Sequence, residues 1–112
     1  MYRIESILKQ INAIENDLKG LTYEDFIKSD LLVRATCFSI SQIGEQMSKL
    51  EKHLKPAYPN LPWDSAIGMR ILIVHIYNKV EAEEIYKTCV NDLPSLKDEF
   101  VKIRNDFMKK VS

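Results

Sequence analysis

The chain has few residues that interrupt regular structure, and it lacks net charge. Only 3 Gly and 4 Pro occur among 112 residues, which excludes collagen-like, linker-dominated and turn-rich β architectures. Sixteen Lys and Arg balance sixteen Asp and Glu, so the overall basic charge typical of many nucleic-acid-binding domains is missing. No apolar run approaches the ~18–20 residues of a membrane span. The 46% hydrophobic and 29% charged residues predict one packed domain over residues 1–112.

Cysteines and cofactor motifs are also scarce. The two cysteines, Cys37 and Cys89, form no Cys-x-x-Cys pair, and the first residues lack the apolar stretch of a signal peptide. We therefore expect a cytoplasmic protein whose thiols are reduced and lie in the core. No His, Cys and acidic cluster has metal-ligand spacing, and no glycine-rich phosphate loop occurs, so neither a metal nor another cofactor is expected.

Helical spacing of apolar residues dominates the first half of the chain. Residues 2–19 carry an apolar stripe at spacings of 3 and 4, and Gly20 supplies a stop. The segment Thr22-Tyr-Glu-Asp25 has capping-box form and predicts a short helix from about Tyr23 to Lys28. A longer helix is predicted from roughly Asp30 to Lys55, before the proline-rich connection of residues 55–62.

The last third has the same helical spacing. Apolar residues recur every three or four positions at Ile85, Cys89, Leu93, Leu96, Phe100, Ile103 and Phe107. Pro94 interrupts this pattern and predicts a kink or a restart near Asn91-Asp92. Long helices joined by short turns predict an all-α, up-and-down helical bundle with a kinked C-terminal helix.

Residues 66–77 break the amphipathic rule, because they are apolar on every side except at Arg70 and His75, with Tyr77 amphipathic. A helix of this kind lies at the centre of a bundle or beneath a partner subunit. The β-branched residues of 71–77 would also suit a buried strand. We favour a central buried helix, because residues 62–65 resemble a helix start and a lone strand would have nothing to pair with.

Two interpretations of Arg70 and His75 remain open at this point. On a helix, Tyr77 lies about 20° around the axis from Arg70, whereas His75 is rotated by about 140°. In the structural interpretation the buried arginine pairs with an acid, and Glu45 on the preceding helix is the natural partner. In the functional one, arginine clamps two phosphate oxygens and histidine exchanges a proton near neutral pH, which suits phosphodiester chemistry.

The spacing Arg70-x4-His75-x-Tyr77 resembles the signature of the HEPN superfamily, and most closely that of its HepT-type toxins. Five further segments resemble this family in the same order: Gly20–Phe26, Ile43–Glu45, Tyr58–Trp63, Ile67–Arg70 and Asn91–Leu96. The resemblance therefore spans nearly the whole chain.

The resemblance implies a homodimeric helical bundle whose two motif helices line a shared cleft. It also implies the toxin of a toxin–antitoxin pair, a metal-independent endoribonuclease in which a 2′-hydroxyl of RNA attacks the adjacent phosphate. By the same resemblance, Arg70 positions the phosphate, His75 is the general acid/base and Glu45 has a supporting role. Tyr77 would accept AMP from a minimal nucleotidyltransferase, the antitoxin.

One residue departs from the family pattern. Ile71 stands where a polar residue, typically Asn, commonly follows the motif arginine, and isoleucine can only pack. This departure favours an alternative, a catalytically silent HEPN module that binds a nucleotidyltransferase and presents a site to it. A third hypothesis is a helical scaffold in which Arg70 is merely paired with Glu45.

The remaining charged residues are interpreted structurally. His53 lies near a predicted helix end, where a cation suits the helix dipole. The last sixteen residues have a small excess of Lys and Arg, which could touch RNA phosphates but which we interpret as a solvated face.

Overall fold

The computed structural model describes residues 1–72 and 79–111, and the side chains of residues 1–69 and 82–110. The described chain forms α1 (Tyr2–Leu18), α2 (Tyr23–Lys28), α3 (Asp30–Leu54), α4 (Trp63–Leu72), α5 (Lys79–Lys87), a π turn (Thr88–Asp92) and α6 (Leu93–Val111). These residues contain no strand, so the predicted all-α fold is confirmed. The preference for helix over strand after residue 66 is confirmed as far as Leu72, and residues 73–78 lie outside the described part.

The turn between α1 and α2 follows the predicted chemistry. Gly20 adopts a left-handed conformation with φ of +76° and ends the first helical segment. The Asp25 N–H donates to Thr22 Oγ1 at 3.2 Å, and the Thr22 N–H donates to Asp25 Oδ2 at 3.0 Å. This reciprocal pair is a capping box. The bonds from Thr22 hold the pKa of Asp25 below its usual value, because they favour the charged carboxylate.

The core lies between α1, α3 and α6. Its side chains include the apolar stripe of α1 and residues facing it: Ile4, Ile7, Ile11, Ile14, Ile40, Ile43, Met47, Phe100 and Ile103. α1 and α6 are antiparallel, because Glu5 pairs with Arg104 at 3.9 Å and Glu15 pairs with Lys97 at 3.1 Å. The bundle is elongated, with principal extents of 46 × 26 × 20 Å.

The kink or restart predicted near Asn91-Asp92 takes the form of the π turn at Thr88–Asp92. The Leu93 N–H donates to the Thr88 carbonyl five residues earlier, which is the bonding pattern of a π-helix. This wider turn stands directly before Pro94, whose ring has no N–H to donate. Helical structure continues from α5 into α6, so the chain does not restart there.

The proline-rich connection is tied to both of its neighbours. Tyr58 Oη donates to Asp106 Oδ2 of α6 at 2.9 Å. The Tyr58 carbonyl accepts from Trp63 Nε1, also at 2.9 Å, and the Trp63 side chain is 2% exposed. The start of α4 is therefore held by a buried indole whose polar atom is satisfied.

Candidate functional site

The structure describes the helices α4 and α5 at the candidate site, but not the side chains that are predicted to react there. The backbone of Arg70 lies in α4, but the Arg70 side chain, together with His75 and Tyr77, lies outside the described residues. Their predicted roles therefore stay predictions. What the structure establishes is how α4, which carries the first residue of the motif, and α5, which follows the motif, are attached to the rest of the bundle.

α4 packs on α3. Met69, the residue before Arg70, lines a cavity together with Ile40 and Ile43 of α3. In the first seven residues of α4, Trp63 and Ala66 are buried whereas Asp64, Ser65 and Gly68 are exposed. The described part of α4 therefore buries one face against α3 and presents another outward.

Glu45, the predicted supporting residue, lies on the same stretch of α3, two positions after Ile43. Its side chain is 42% exposed, and its Oε1 lies 3.7 Å from Nζ of Lys49, one turn further along α3. A pair of this exposure and spacing stabilises a helix only by a few tenths of a kcal/mol. The supporting role of Glu45 toward Arg70 stays a prediction.

An aromatic cluster fixes α5 on the other side of the motif. The Tyr86 ring lies 5.5 Å from the ring centroids of both Tyr23 and Phe26 in α2. Its hydroxyl donates to the Leu21 carbonyl at 3.2 Å. Tyr86 thus attaches α5 to the α1–α2 turn, as Trp63 attaches α4 to the proline-rich connection. Sequence reasoning missed this contact, because no periodic pattern relates residue 86 to residue 21.

The cavity beside Met69 is too small to hold a nucleobase. It has a volume of about 60 Å³ and a mainly apolar lining contributed by α3, α4, the π turn and α6. A cavity that takes up benzene measures about 150 Å³. Any base that contacts this protein therefore lies outside this cavity.

The two cysteines have the structural character that the sequence predicts. Both are free and buried, at 4% exposure for Cys37 and 7% for Cys89. Burial raises the pKa of Cys37 to about 11, and burial with a smaller contribution from Cys37 raises the pKa of Cys89 to about 12. Both thiols are therefore protonated at neutral pH, which excludes thiolate nucleophiles at these positions.

In the described part of the chain, no three His, Cys, Asp or Glu side chains are grouped so that they could hold a metal ion. None of the helices described there combines the length and the apolar character needed to cross a bilayer.

Comparison with known proteins gives one consistent result. A family model described as "Ribonuclease HepT-like" matches residues 7–103, which include the positions of Arg70, His75 and Tyr77. A protein named "Probable ribonuclease HepT" from Thermococcus cleftensis is 31% identical over 101 residues, covering 90% of this chain and 92% of that protein.

Two further relatives, each named "Putative RNase", are similar over a comparable length. The one from Caldanaerobacter subterraneus subsp. tengcongensis is 31% identical and covers 89% of each chain. The one from Methanocaldococcus jannaschii is 32% identical, covering 93% of this chain and 90% of the relative. No solved structure matches the chain significantly.

Proposed function

Because the chain belongs to the HepT-like ribonuclease family, we propose that it is a metal-independent endoribonuclease and the toxin of a toxin–antitoxin pair, active in the cytoplasm. The observation that carries the proposal is the family match over residues 7–103, which contains Arg70, His75 and Tyr77 at the motif spacing. The burial of Trp63 at the start of α4 and the aromatic cluster of α5 support the proposal, because they attach to the bundle the helix that carries Arg70 and the helix that follows Tyr77.

The proposed reaction is an internal phosphoryl transfer. The 2′-hydroxyl oxygen attacks the adjacent phosphorus, the bond from phosphorus to the 5′ oxygen breaks, and a 2′,3′-cyclic phosphate and a 5′-hydroxyl end result. His75 accepts the proton of the 2′-hydroxyl or delivers a proton to the leaving oxygen, since imidazole titrates near neutral pH. Arg70 binds two phosphate oxygens and stabilises the charge that develops on them. Glu45 is the proposed supporting residue.

The direct test is cleavage of single-stranded RNA by the purified protein in a buffer that contains a metal chelator. We expect cleaved fragments with cyclic phosphate and 5′-hydroxyl ends, identified by mass spectrometry. Cleavage that stops on chelation, or fragments with 5′-phosphate ends, would contradict the proposed route, because 2′-hydroxyl attack needs no metal and leaves the phosphate on the 3′ side.

Tyr77 is the proposed site of control by a minimal nucleotidyltransferase antitoxin. In this step the tyrosine oxygen attacks the α-phosphorus of ATP, pyrophosphate leaves, and AMP remains on the tyrosine. The added phosphate carries negative charge two helical turns from Arg70 on the predicted helix, where it would compete with substrate phosphate.

Intact-mass measurement after incubation with ATP and the cognate nucleotidyltransferase tests this assignment. We expect the mass to increase by one or more AMP units, and we expect Tyr77→Phe to abolish the increase. Tyr58→Phe is the matched control, because it removes a tyrosine hydroxyl elsewhere in the chain. An unchanged mass increase in Tyr77→Phe would place the acceptor at another residue.

A homodimer is the proposed assembly, and exposed apolar side chains on α3 support it. Leu31 and Phe38, 72% and 59% exposed and two turns apart on α3, supply apolar surface for such a contact.

Ile71 supports a second candidate function, a HEPN module without catalysis that binds a nucleotidyltransferase. The isoleucine side chain cannot hydrogen-bond a phosphate or orient a histidine. Under this alternative the protein co-purifies with the nucleotidyltransferase, yet RNA remains intact in the chelator assay. The two candidates therefore give opposite results in the same experiment.

A further inference from the structure

The zero net charge conceals an uneven distribution of charge along the bundle. We define the basic end as residues 1–6, 46–65 and 101–110, which comprise the start of α1, the second half of α3 with the proline-rich connection, and the second half of α6. These residues contain eight cationic side chains against four anionic ones: Arg3, Lys49, Lys52, Lys55, Lys102, Arg104, Lys109 and Lys110 against Glu5, Glu51, Asp64 and Asp106. Two of the eight, Lys49 and Lys102, pair with Glu45 and Glu99, which lie just outside these ranges.

The opposite end has the reverse balance. Residues 12–37 and 82–100 contain ten Asp and Glu against five Lys and Arg. This acidic end includes the α1–α2 turn, the start of α3 and the π turn. The two ends together explain why the sequence has no net charge although its surface has regions of both signs.

Contacts between distant parts of the sequence create the basic end. Arg3 Nη1 donates to Gln46 Oε1 at 2.9 Å, which joins α1 to α3. Arg104 lies 3.9 Å from Glu5, which joins α6 to α1. The hydrogen bond from Tyr58 to Asp106 attaches the proline-rich connection to α6 at the same end of the bundle. Two segments with a basic excess, residues 46–65 and 101–110, thus join the charge-balanced start of α1 in one surface only in the folded chain.

Part of this positive charge is not neutralised locally. Among the described side chains, neither Arg3 nor Lys52 forms an ion pair. Lys110 Nζ lies 5.9 Å from the centroid of the Phe107 ring, where it keeps its charge available. Lys52, Lys109 and Lys110 lie in the last turns of α3 and α6, where cations suit the helix dipoles. The helix dipole does not favour a cation at Arg3, because Arg3 lies in the first turn of α1.

We propose that the basic end is a docking surface for the phosphate backbone of single-stranded RNA, in an inference that rests on the proposed ribonuclease function. α4 begins at this end with Trp63, and residue 70 lies about 10 Å further along the helix. A strand that contacts residue 70 would therefore lie within about two helical turns of the basic end. Tyr2, with 78% exposure, adds an aromatic ring on which a base can stack.

The test compares two triple variants with the same change of net charge. Lys52→Gln/Lys109→Gln/Lys110→Gln removes three of the eight positive charges of the basic end, and Lys19→Gln/Lys28→Gln/Lys87→Gln removes three exposed lysines at the acidic end. The probe is a fluorescent 2′-O-methyl oligonucleotide, which lacks the 2′-hydroxyl and so cannot be cleaved by the proposed route. Fluorescence anisotropy measures Kd over a range of salt concentrations, and circular dichroism verifies that each variant is folded.

The basic-end variant is expected to bind roughly tenfold more weakly at low salt, with a salt dependence that falls by about 2 in log–log slope. The acidic-end variant is expected to bind like the unmodified protein. Equal losses in both variants would show that net charge alone matters, and unchanged binding by the basic-end variant would place the RNA elsewhere; either result overturns the proposal. Because the probe reports binding without cleavage, an inactive protein can still support the docking surface, and an active one can still contradict it.

Discussion

Replacing His75 with alanine is expected to lower the rate of RNA cleavage by about 10²–10⁴-fold, the usual contribution of a general acid or base. Arg70→Ala is expected to cost about 10²–10³-fold, because it removes charged hydrogen-bond donors from the phosphate as negative charge develops. The measurement is the initial rate of cleavage of a labelled single-stranded RNA in the presence of a chelator. Under the proposed function, the unmodified protein is expected to arrest growth when it is produced without an antitoxin, and both variants are expected to relieve that arrest.

His53→Ala and Arg70→Lys provide the controls for this prediction. His53 is exposed near the end of α3, within the basic end, so His53→Ala is expected to leave the rate unchanged at a saturating RNA concentration. Arg70→Lys retains the positive charge but loses the fork that binds two oxygens, and it should recover only part of the rate. Undiminished cleavage by purified Arg70→Ala and His75→Ala proteins would exclude both residues from the reaction.

Mixing the two inactive variants tests how a dimer would assemble its sites. On the predicted helix, Arg70 and His75 are rotated by about 140°, which favours a site that combines Arg70 of one protomer with His75 of the other. After subunit exchange, a 1:1 mixture of Arg70→Ala and His75→Ala proteins is then expected to recover about a quarter of the unmodified rate. If each site takes both residues from one chain, every site in the mixture stays inactive and no recovery occurs.

The helices could be predicted from the sequence because their signals are local. The apolar spacing of residues 2–19, the capping box at Thr22 and the proline at position 56 each act within a few residues of the boundary that they determine. α1, α2 and α3 accordingly end within one residue of their predicted limits. The irregularity near Asn91-Asp92 was predictable for the same reason, whereas its form, a π turn, depends on how α5 and α6 pack.

The surroundings of the candidate site could not be predicted in the same way, because they depend on contacts between residues far apart in the chain. Tyr86 lies 65 positions from Leu21, and no pattern in the sequence joins them. The basic end is assembled from three separate segments, of which the tail alone suggested a mild excess of charge. Arg70, His75 and Tyr77, by contrast, are predicted from a motif with fixed spacing, and their roles stay predictions.

Trp63→Ala is expected to lower the free energy of unfolding by about 3–5 kcal/mol, the typical cost of truncating a fully buried aromatic side chain. The Trp63 side chain is 2% exposed, and its Nε1 donates to the Tyr58 carbonyl at 2.9 Å. The substitution leaves a cavity at the start of α4 and a partly buried carbonyl without its donor. Because domains of this size are stable by only about 5–15 kcal/mol, urea denaturation should show a large decrease in the midpoint.

Two further variants separate the contributions of Trp63. Trp63→Phe keeps an aromatic ring but removes the hydrogen bond, so it is expected to cost only about 1–3 kcal/mol. Tyr2→Ala truncates an aromatic side chain that is 78% exposed, and its effect should stay within about 0.5 kcal/mol. A cost for Trp63→Ala as small as that for Tyr2→Ala would mean that the indole does not anchor α4. A large cost would instead show that the stability of the fold depends on Trp63, the residue at which the helix that carries Arg70 begins.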